Sequence, residues 1–553
     1  MRRFTGRKGW LRHSIAFTAA ALVAGIQMFA TPAFAAYELP PGERITNLPH
    51  IPRAMPQKEG YENYDPVIGR NFDIKNLWLR ADLRVRPEWR NGVCFGGGAP
   101  VGGACNTLAN ARTNSRGVNA GRGANDFYVQ QWARLGIGYD LSPDVNFYME
   151  IIDSATWGGN GSAANAGNGG DPLNHQCSTT STGACRLGVR AAYVLVRNLA
   201  GVQGLSMKAG RQYVIFGNHS LFGHFDWANT GYSHDGIMFN YNASKNWESW
   251  LGWFRNSETD IAQGAAVGSA AGNIVAGTNQ DAGADADMFI FYNQIKSIPG
   301  MLFEPYYVLY MNGLAEGNNT AQAMGTPKKS NQVRHMVGQR SELRKSNVDA
   351  ILETAYQFGR MADGIGTDEQ RNVNINAWAL RSWLGYTVYE SKWKPRFAVG
   401  VDYASGDGDA NCSTAAACRT AGGTFENFFP TNHIHMGYMD VMAWKNMFSP
   451  QFNFQMRPSE RDHFEFWYAN FQLANGRDNW YRGAQGPYVF SMANNTEKHV
   501  GDELDFTWTR MFADGKVSLQ ATYGHLFVGD YIKQNLNTDS DQSWGFIQLW
   551  MNF

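Results

Sequence analysis

Residues 75–89 read KNLWLRADLRVRPEW. Leu77, Leu79, Ala81, Leu83 and Val85 share one parity, and Arg80, Asp82, Arg84, Arg86 and Glu88 share the other. In an extended chain, successive side chains point to opposite faces, so this stretch predicts a β-strand with one apolar and one charged face. A strand in a soluble sheet shows the same alternation. What decides between the two settings is the rest of the chain.

The same test predicts further strands near 126–140, 145–155, 187–198, 204–215, 235–243, 246–256, 286–297, 301–312, 333–345, 347–359, 373–390, 395–404, 447–457, 462–471, 499–511, 515–528 and 541–553, which makes 18 with the first. Their connectors alternate in length. Short links such as Leu141–Asp144, Ser244-Lys245, Ser297–Gly300, Lys345-Ser346 and Ala513–Gly515 are interleaved with long ones at 91–125, 156–186, 216–234, 257–285, 313–332, 360–372, 405–446 and 472–498. Outer-membrane barrels have short periplasmic turns and long outer loops, whereas a soluble sandwich has no reason to keep that alternation. A propeller would repeat a blade motif, and none is present. The end of the chain agrees: Ile547, Leu549, Met551 and Phe553 alternate outward and the sequence stops on an aromatic. The fold expected is therefore an all-β transmembrane antiparallel barrel.

Composition supports this. Among 553 residues only 17% are charged, 14% are aromatic, and glycine (61) far outnumbers proline (19). Mean hydropathy is −0.39, and beyond residue 35 no apolar run reaches the roughly 18 residues a spanning helix needs. Disorder is excluded by the aromatic content. Formal net charge is zero and drops to −5 if the first 35 residues, with five Lys/Arg and no acid, are removed. A nucleic-acid binder would normally be basic, so nucleic acid is not an expected partner.

Those 35 residues read as a signal peptide. Arg2, Arg3, Arg7, Lys8 and Arg12 precede an apolar stretch at 14–30, and Ala33-Phe34-Ala35 is a small-x-small cleavage site. Residues 36–73 are rich in proline and polar residues and are expected to be an extended periplasmic lead-in to a barrel over 74–553. The six cysteines fall into close pairs, Cys94 with Cys105, Cys177 with Cys185, and Cys412 with Cys418, each in a Gly/Ala/Ser/Asn-rich long connector. In an oxidising compartment, proximity predicts three local disulfides. No C-x-x-C pair is present, and the spacings suit no zinc pattern.

Several blocks resemble the alginate-export porins of bacterial outer membranes. They are Ala209-Gly210-Arg211-Gln212; Phe225-Asp226-Trp227-Ala228-Asn229-Thr230-Gly231 with Asp235-Gly236; Tyr403-Ala404-Ser405-Gly406-Asp407; Thr424-Phe425-Glu426-Asn427-Phe428-Phe429-Pro430-Thr431-Asn432-His433 with Gly437; and Val500–Asp505. The Phe-Pro-Thr-Asn-His block after Ser-Gly-Asp is the most specific. The resemblance spans 74–553 and implies an 18-stranded barrel, loops or turns that gate it, and a lumen that passes anionic polysaccharide. Its expected surroundings are outer-membrane lipid and, during assembly, the barrel-assembly machinery that reads the last strand.

Channels select by lumen charge and radius. Parity assigns Arg80, Arg84, Arg86, Arg134, Arg190, Lys208, Arg340, Arg344 and Arg396 to the lumen, together with Asp82, Glu88, Glu150, Glu342, Asp349, Glu353, Asp402, Glu465, Glu503 and Asp505. Guanidinium planes suit carboxylates bidentately, but wall charges also pair across neighbouring strands. Arg211 and Arg381 break the parity of their strands, which suggests a bulge or a rim position. Trp247, Trp253, Trp378, Trp383, Trp467, Trp508, Trp544 and Trp550 are candidates for the aromatic bands at the lipid–water interfaces. Trp78 and Trp132, with Trp467 again, fall on lumen parity and suit sugar stacking.

Other constellations fail on spacing. Asp407–Asn411 starts like a calcium loop, yet Cys412 and Cys418 stand where glycine and glutamate belong. His433 and His435 suit opposite faces of a strand, and His219, His224 and His234 share one connector. No G-x-S-x-G, H-E-x-x-H, P-loop or C-x-x-C-H sequence occurs, so no cofactor, resident metal or enzymatic activity is expected. The leading expectation is a passive channel for hydrophilic, anionic solutes or polysaccharide. A rival is a sleeve housing a partner such as a multihaem cytochrome.

Overall fold

A computed structural model describes residues 76–93, 124–157, 187–228, 231–257, 286–312, 332–364, 370–408, 421–481, 483, 487–489, 495–536 and 539–552. The signal peptide, the lead-in segment and all six cysteines lie outside these residues.

The strands in chain order are β1 (Leu77–Val93), β2 (Ala124–Ser142), β3 (Val145–Thr156), β4 (Leu187–Val196), β5 (Leu205–Gln212), β6 (His234–Ser244), β7 (Trp247–Ser257), β8 (Ala286–Ile295), β9 (Met301–Asn312), β10 (Gln332–Lys345), β11 (Val348–Gly364), β12 (Gln370–Thr387) and β13 (Arg396–Ala404). There follow β14 (Ala421–Gly422), β15 (Met447–Met456), β16 (Asp462–Leu473), β17 (Trp480–Tyr481), β18 (Pro487–Val489), β19 (His499–Phe512), β20 (Val517–Val528) and β21 (Gln542–Asn552), with one helix, α1 (Asp530–Leu536), before the last. Eighteen of them form the wall. The short β14, β17 and β18 belong to connectors. Each wall strand pairs antiparallel with its neighbour, and β1 pairs with β21 from Asp82↔Asn552 to Asn91↔Ser543, which closes the cylinder and leaves no free edge. The connector expected at 360–372 is shorter, because β11 and β12 extend to Gly364 and from Gln370.

The outward face is greasy because lipid replaces water there. Leu79, Leu251, Leu384, Val399, Phe506 and Ile547 are exposed on it. On β12 the outward set runs from Trp378 to Tyr386. Eight residues at about 3.4 Å give about 27 Å of strand, and a tilt of about 35–45° reduces that to about 19–22 Å along the membrane normal, most of the roughly 25 Å of an outer-membrane hydrocarbon band. Trp247, Trp253 and Trp378 are exposed outward as expected for interface residues. Trp383, Trp467, Trp544 and Trp550 are not: all four are buried on the inward face. Their neighbours on the same parity explain this, since β12 turns Ala377, Ala379, Arg381 and Trp383 inward together. Arg381 therefore breaks no parity. Before Arg381 the inward row of β12 is apolar (Val373, Ile375, Ala377 and Ala379), so these residues mark the inside of the wall, not the lipid side.

The reason for an apolar inner surface is that the chain folds back into its own barrel. Segments 213–228 and 423–446 run through the interior. Phe216, Leu221, Phe222, Phe425, Met436, Tyr438, Met442 and Trp444 form one core with inward wall residues Met238, Phe254, Met288, Tyr292, Val308, Met336, Ala377 and Met447. The two segments are joined by a short backbone ladder: Phe222 and Phe429 form a parallel bridge, in which Gly223 N–H donates to Phe429 O at 2.8 Å and Phe429 N–H to Leu221 O at 3.1 Å, and beside it Thr431 N–H donates to His219 O at 2.9 Å. The ladder satisfies backbone groups that burial would otherwise strand.

Candidate functional site: a plug held by wall charges

All of the parity-assigned residues Arg80, Asp82, Arg84, Arg86, Glu88, Arg134, Glu150, Arg190, Lys208, Arg340, Arg344, Glu353, Arg396, Asp402, Glu503 and Asp505 sit on the inward parity of their strands. Arg80 and Arg344 are half-buried and the others are buried. They divide into two kinds, cross-strand pairs and plug anchors.

The cross-strand pairs stiffen the wall. Arg134 holds Asp82 at 2.8 Å. Arg381 holds Asp402 through two bonds of 3.0 Å, and Arg396 holds Asp349 at 2.6 Å and 2.9 Å. Arg340 engages Glu304 and Glu342. Arg211, by contrast, turns outward at the end of β5, where it pairs with Asp235 at 2.8 Å beside Gly210, whose φ is +123°. It occupies a rim position.

The plug anchors were not legible as such. Asp226, in the first inward segment, lies on a sector of arginines. Its carboxylate accepts from Arg134 at 3.0 Å and from Arg190 at 3.0 Å. Arg84 donates to the Asp226 carbonyl, Arg86 to the Trp227 carbonyl at 2.8 Å, and Arg190 to the His224 carbonyl at 2.8 Å. Burial alone would raise the Asp226 carboxyl, but the charges of Arg134, His224 and Arg190 outweigh it and hold the group well below the ordinary carboxylate range. Aromatic faces complete the seat. The Arg84 and Arg134 guanidinium carbons lie 3.7 Å and 4.2 Å from the Trp132 ring centre, and Arg86 lies 3.5 Å from that of Trp227. The Trp227 ring also stacks on His433 of the second segment, with centroids 3.6 Å apart and planes 3° apart.

Two more anchors sit elsewhere on the wall. Ser220 donates to Glu353 at 2.5 Å. The backbone N–H groups of Met439 and Tyr438 donate to Glu503 at 2.9 Å and Asp505 at 3.1 Å, while the Tyr438 hydroxyl donates to Glu465 at 3.1 Å. Gly437 makes this approach possible. Its φ is +79°, and a Cβ there would stand 2.3 Å from a Glu503 oxygen. The Ser405-Gly406-Asp407 block has a similar purpose at the base of the second segment: Asp407 N–H and Thr424 Oγ1 both donate to Asp478, at 2.8 Å and 2.6 Å.

Sequence reading missed Asp226, Ser220, His433 and Tyr438 as working residues because they lie in stretches read as outer loops. The available signal was apolar density. Residues 213–228 (YVIFGNHSLFGHFDWA) are too hydrophobic for a solvated connector. Among the described residues no set of His, Cys, Asp or Glu is arranged to hold a metal ion.

The family model for alginate export matches residues 110–546. Among curated protein sequences no relative matches. Solved structures of similar shape include Acinetobacter baumannii OccAB2 (10% identity, TM-score 0.47, covering 86% of this chain and 98% of that one) and OccAB3 (8%, 0.47, 86% and 99%). Pseudomonas aeruginosa OpdQ is comparable (12%, 0.46, 87% and 98%). The family match covers most of the chain and falls on a closed barrel of 18 wall strands; the protein belongs to the alginate export family and is a porin of the bacterial outer membrane.

Proposed function

We propose that this porin passes hydrophilic, anionic solutes or polysaccharide by passive diffusion, and that Asp226 is the internal stand-in for the passing carboxylate. The observation that carries the reading is the grip of Arg134 and Arg190 on Asp226. Four wall arginines, Arg84, Arg86, Arg134 and Arg190, converge on one short stretch of plug, Asp226–Ala228 and His224. A uronate carboxylate offers the same two-oxygen geometry. Entry of an anion into this sector exchanges one carboxylate for another, so the arginines never face a low-dielectric interior unpaired. No bond of the solute changes. The barrel's contribution is a polar route through a medium where charge is costly.

The sleeve reading fares worse. The inward segments 213–228 and 423–446 already occupy the interior and pack on both the polar and the apolar sectors of the wall, which argues against a domain-sized partner in the same space.

Single-channel recording in planar bilayers tests the proposal. The channel is expected to favour anions, and a linear oligouronide is expected to interrupt its current in a concentration-dependent way. The reversal Arg84→Glu with Arg86→Glu is expected to shift selectivity toward cations. Cation selectivity in the unmodified chain, together with no response to the oligouronide, would refute it.

A further inference from the structure

The short-turn end of the barrel carries a charge pattern that the plug does not use. Six consecutive turns, at 244–247, 296–300, 345–348, 388–395, 457–461 and 513–516, each present at least one cation: Lys245, Lys296, Lys345, Lys394, Arg461 and Lys516. All six side chains are exposed. Together these turns hold eight Lys/Arg against three Asp/Glu. Lys245, Lys296, Lys394, Arg461 and Lys516 make no ion pair with a described residue. Two of the wall acids beside these turns are engaged by wall arginines, Asp349 by Arg396 at 2.6 Å and Asp462 by Arg510 at 3.0 Å, and Glu248 accepts from Asn240 at 3.0 Å.

Geometry makes the pattern more than a set of solvated lysines. Consecutive turns are two strands apart, roughly 10–12 Å along the rim. That is close to the Debye length of about 8–10 Å at physiological salt. The potentials of neighbouring turns therefore overlap into one arc of positive field around most of the mouth. A compact anion meets one or two of these charges. A linear polyanion lying along the arc meets several at once, and their contributions add.

We infer that this arc is a capture site for a linear polyanion at the periplasmic mouth. It rests on the porin reading above and deepens it by assigning the side from which the polymer is collected. The arc raises the encounter rate there, and the plug arginines meet the polymer afterwards.

The experiment uses the full chain inserted from one side into planar bilayers of neutral lipid, with a linear oligouronide added to either compartment. In about 0.1 M KCl the blocking on-rate is expected to be roughly tenfold higher from the short-turn side, and in about 1 M KCl the two sides should converge. Replacing Lys245, Lys296, Lys394, Arg461 and Lys516 with serine should bring the two sides to parity at low salt, and replacing them with glutamate should invert the asymmetry. Heat-modified gel mobility verifies that each variant forms a barrel. Equal block from both sides of the unmodified chain, or an asymmetry that survives the glutamate variant, overturns the capture site while leaving the porin reading intact. Absence of block from either side overturns the capture site, and if the unmodified chain also favours cations it overturns the anion-passage reading as well.

Discussion

Arg134 of the barrel wall and Asp226 of the inward segment lie 3.0 Å apart, and the same guanidinium holds Asp82 of the adjacent strand at 2.8 Å. One side chain thus ties the plug to the wall and two wall strands to each other. Removing the plug carboxylate leaves Arg134 partly satisfied by Asp82 but withdraws the charged acceptor from Arg190. Asp226→Asn is expected to loosen the plug without unfolding the barrel. Breaking such a buried pair costs about 3–5 kcal/mol locally. Channel recordings should show larger open-state current noise, with heat-modified gel mobility unchanged. Quiet currents identical to those of the unmodified chain would show that Asp226 does not hold the plug.

His433 supplies a pH dependence. It is buried against Trp227 and lies 3.1 Å from Asp440, with Arg86 and Glu88 nearby. Burial lowers its pKa. Asp440 pulls it up only in part, and the net shift is downward. A depressed group contributes stability above its unfolded pKa, about 6.5 for histidine, and that stability is lost as pH falls through the folded value. Asp226, held below the ordinary carboxylate range, stays charged through the same window. Plug opening events should therefore increase as pH drops from about 6.5, and His433→Gln should flatten the dependence. A pH profile unchanged in that variant would assign the effect to another group.

Arg381 and Asp402 give a stability test of a wall pair that also backs the second inward segment, the guanidinium lying 4.8 Å from the Trp444 ring centre. Both side chains are fully buried and joined by two bonds of 3.0 Å. Arg381→Leu strands the Asp402 charge and should cost about 3–5 kcal/mol, whereas Arg381→Leu with Asp402→Leu should recover most of the loss. Urea unfolding in lipid vesicles measures both. Equal losses in the single and double variants would show that the pair is not coupled.

Gly437→Ala should unseat the second inward segment. The residue adopts φ +79°, and its added methyl would stand against Glu503. Faster limited proteolysis within 423–446 is the expected readout, with protection of the wall strands unchanged. Protection equal to that of the unmodified chain would place the constraint elsewhere.

Val399→Arg tests the lipid face. Val399 is 56% exposed on the outward row of β13. An arginine near the middle of the hydrocarbon should cost about 2–4 kcal/mol in vesicle unfolding. A cost near zero would mean that Val399 does not face lipid.

The strands were legible because a membrane imposes period two on both faces, and a one-residue slip would turn every side chain to the wrong medium. All 18 expected strands appear. The faces were less legible. The rule that apolar residues point to lipid holds on β1, where Leu79 is exposed and Arg84 buried, and fails on β12, where Ala377 and Ala379 point inward with Arg381. The cause is the plug: a second, non-local layer packs against the inner wall and leaves part of it dry, and the only local sign of it is the apolar density of stretches such as 213–228. Trp544 and Trp550 were read as interface anchors for the same reason, since aromatic residues suit either a headgroup layer or a packed interior.

The closing seam has one further consequence. Trp544 and Phe546 of the last strand touch Trp227, with ring centroids 5.4 Å and 5.0 Å away, and Arg86 on the first strand covers that same indole. The backrest of the stopper is assembled from the first and the last wall strands. A half-zipped precursor would lack it, so sealing the conduit has to come last in biogenesis, and any lesion that stops the terminal strand from docking should also leave the cell envelope leaky.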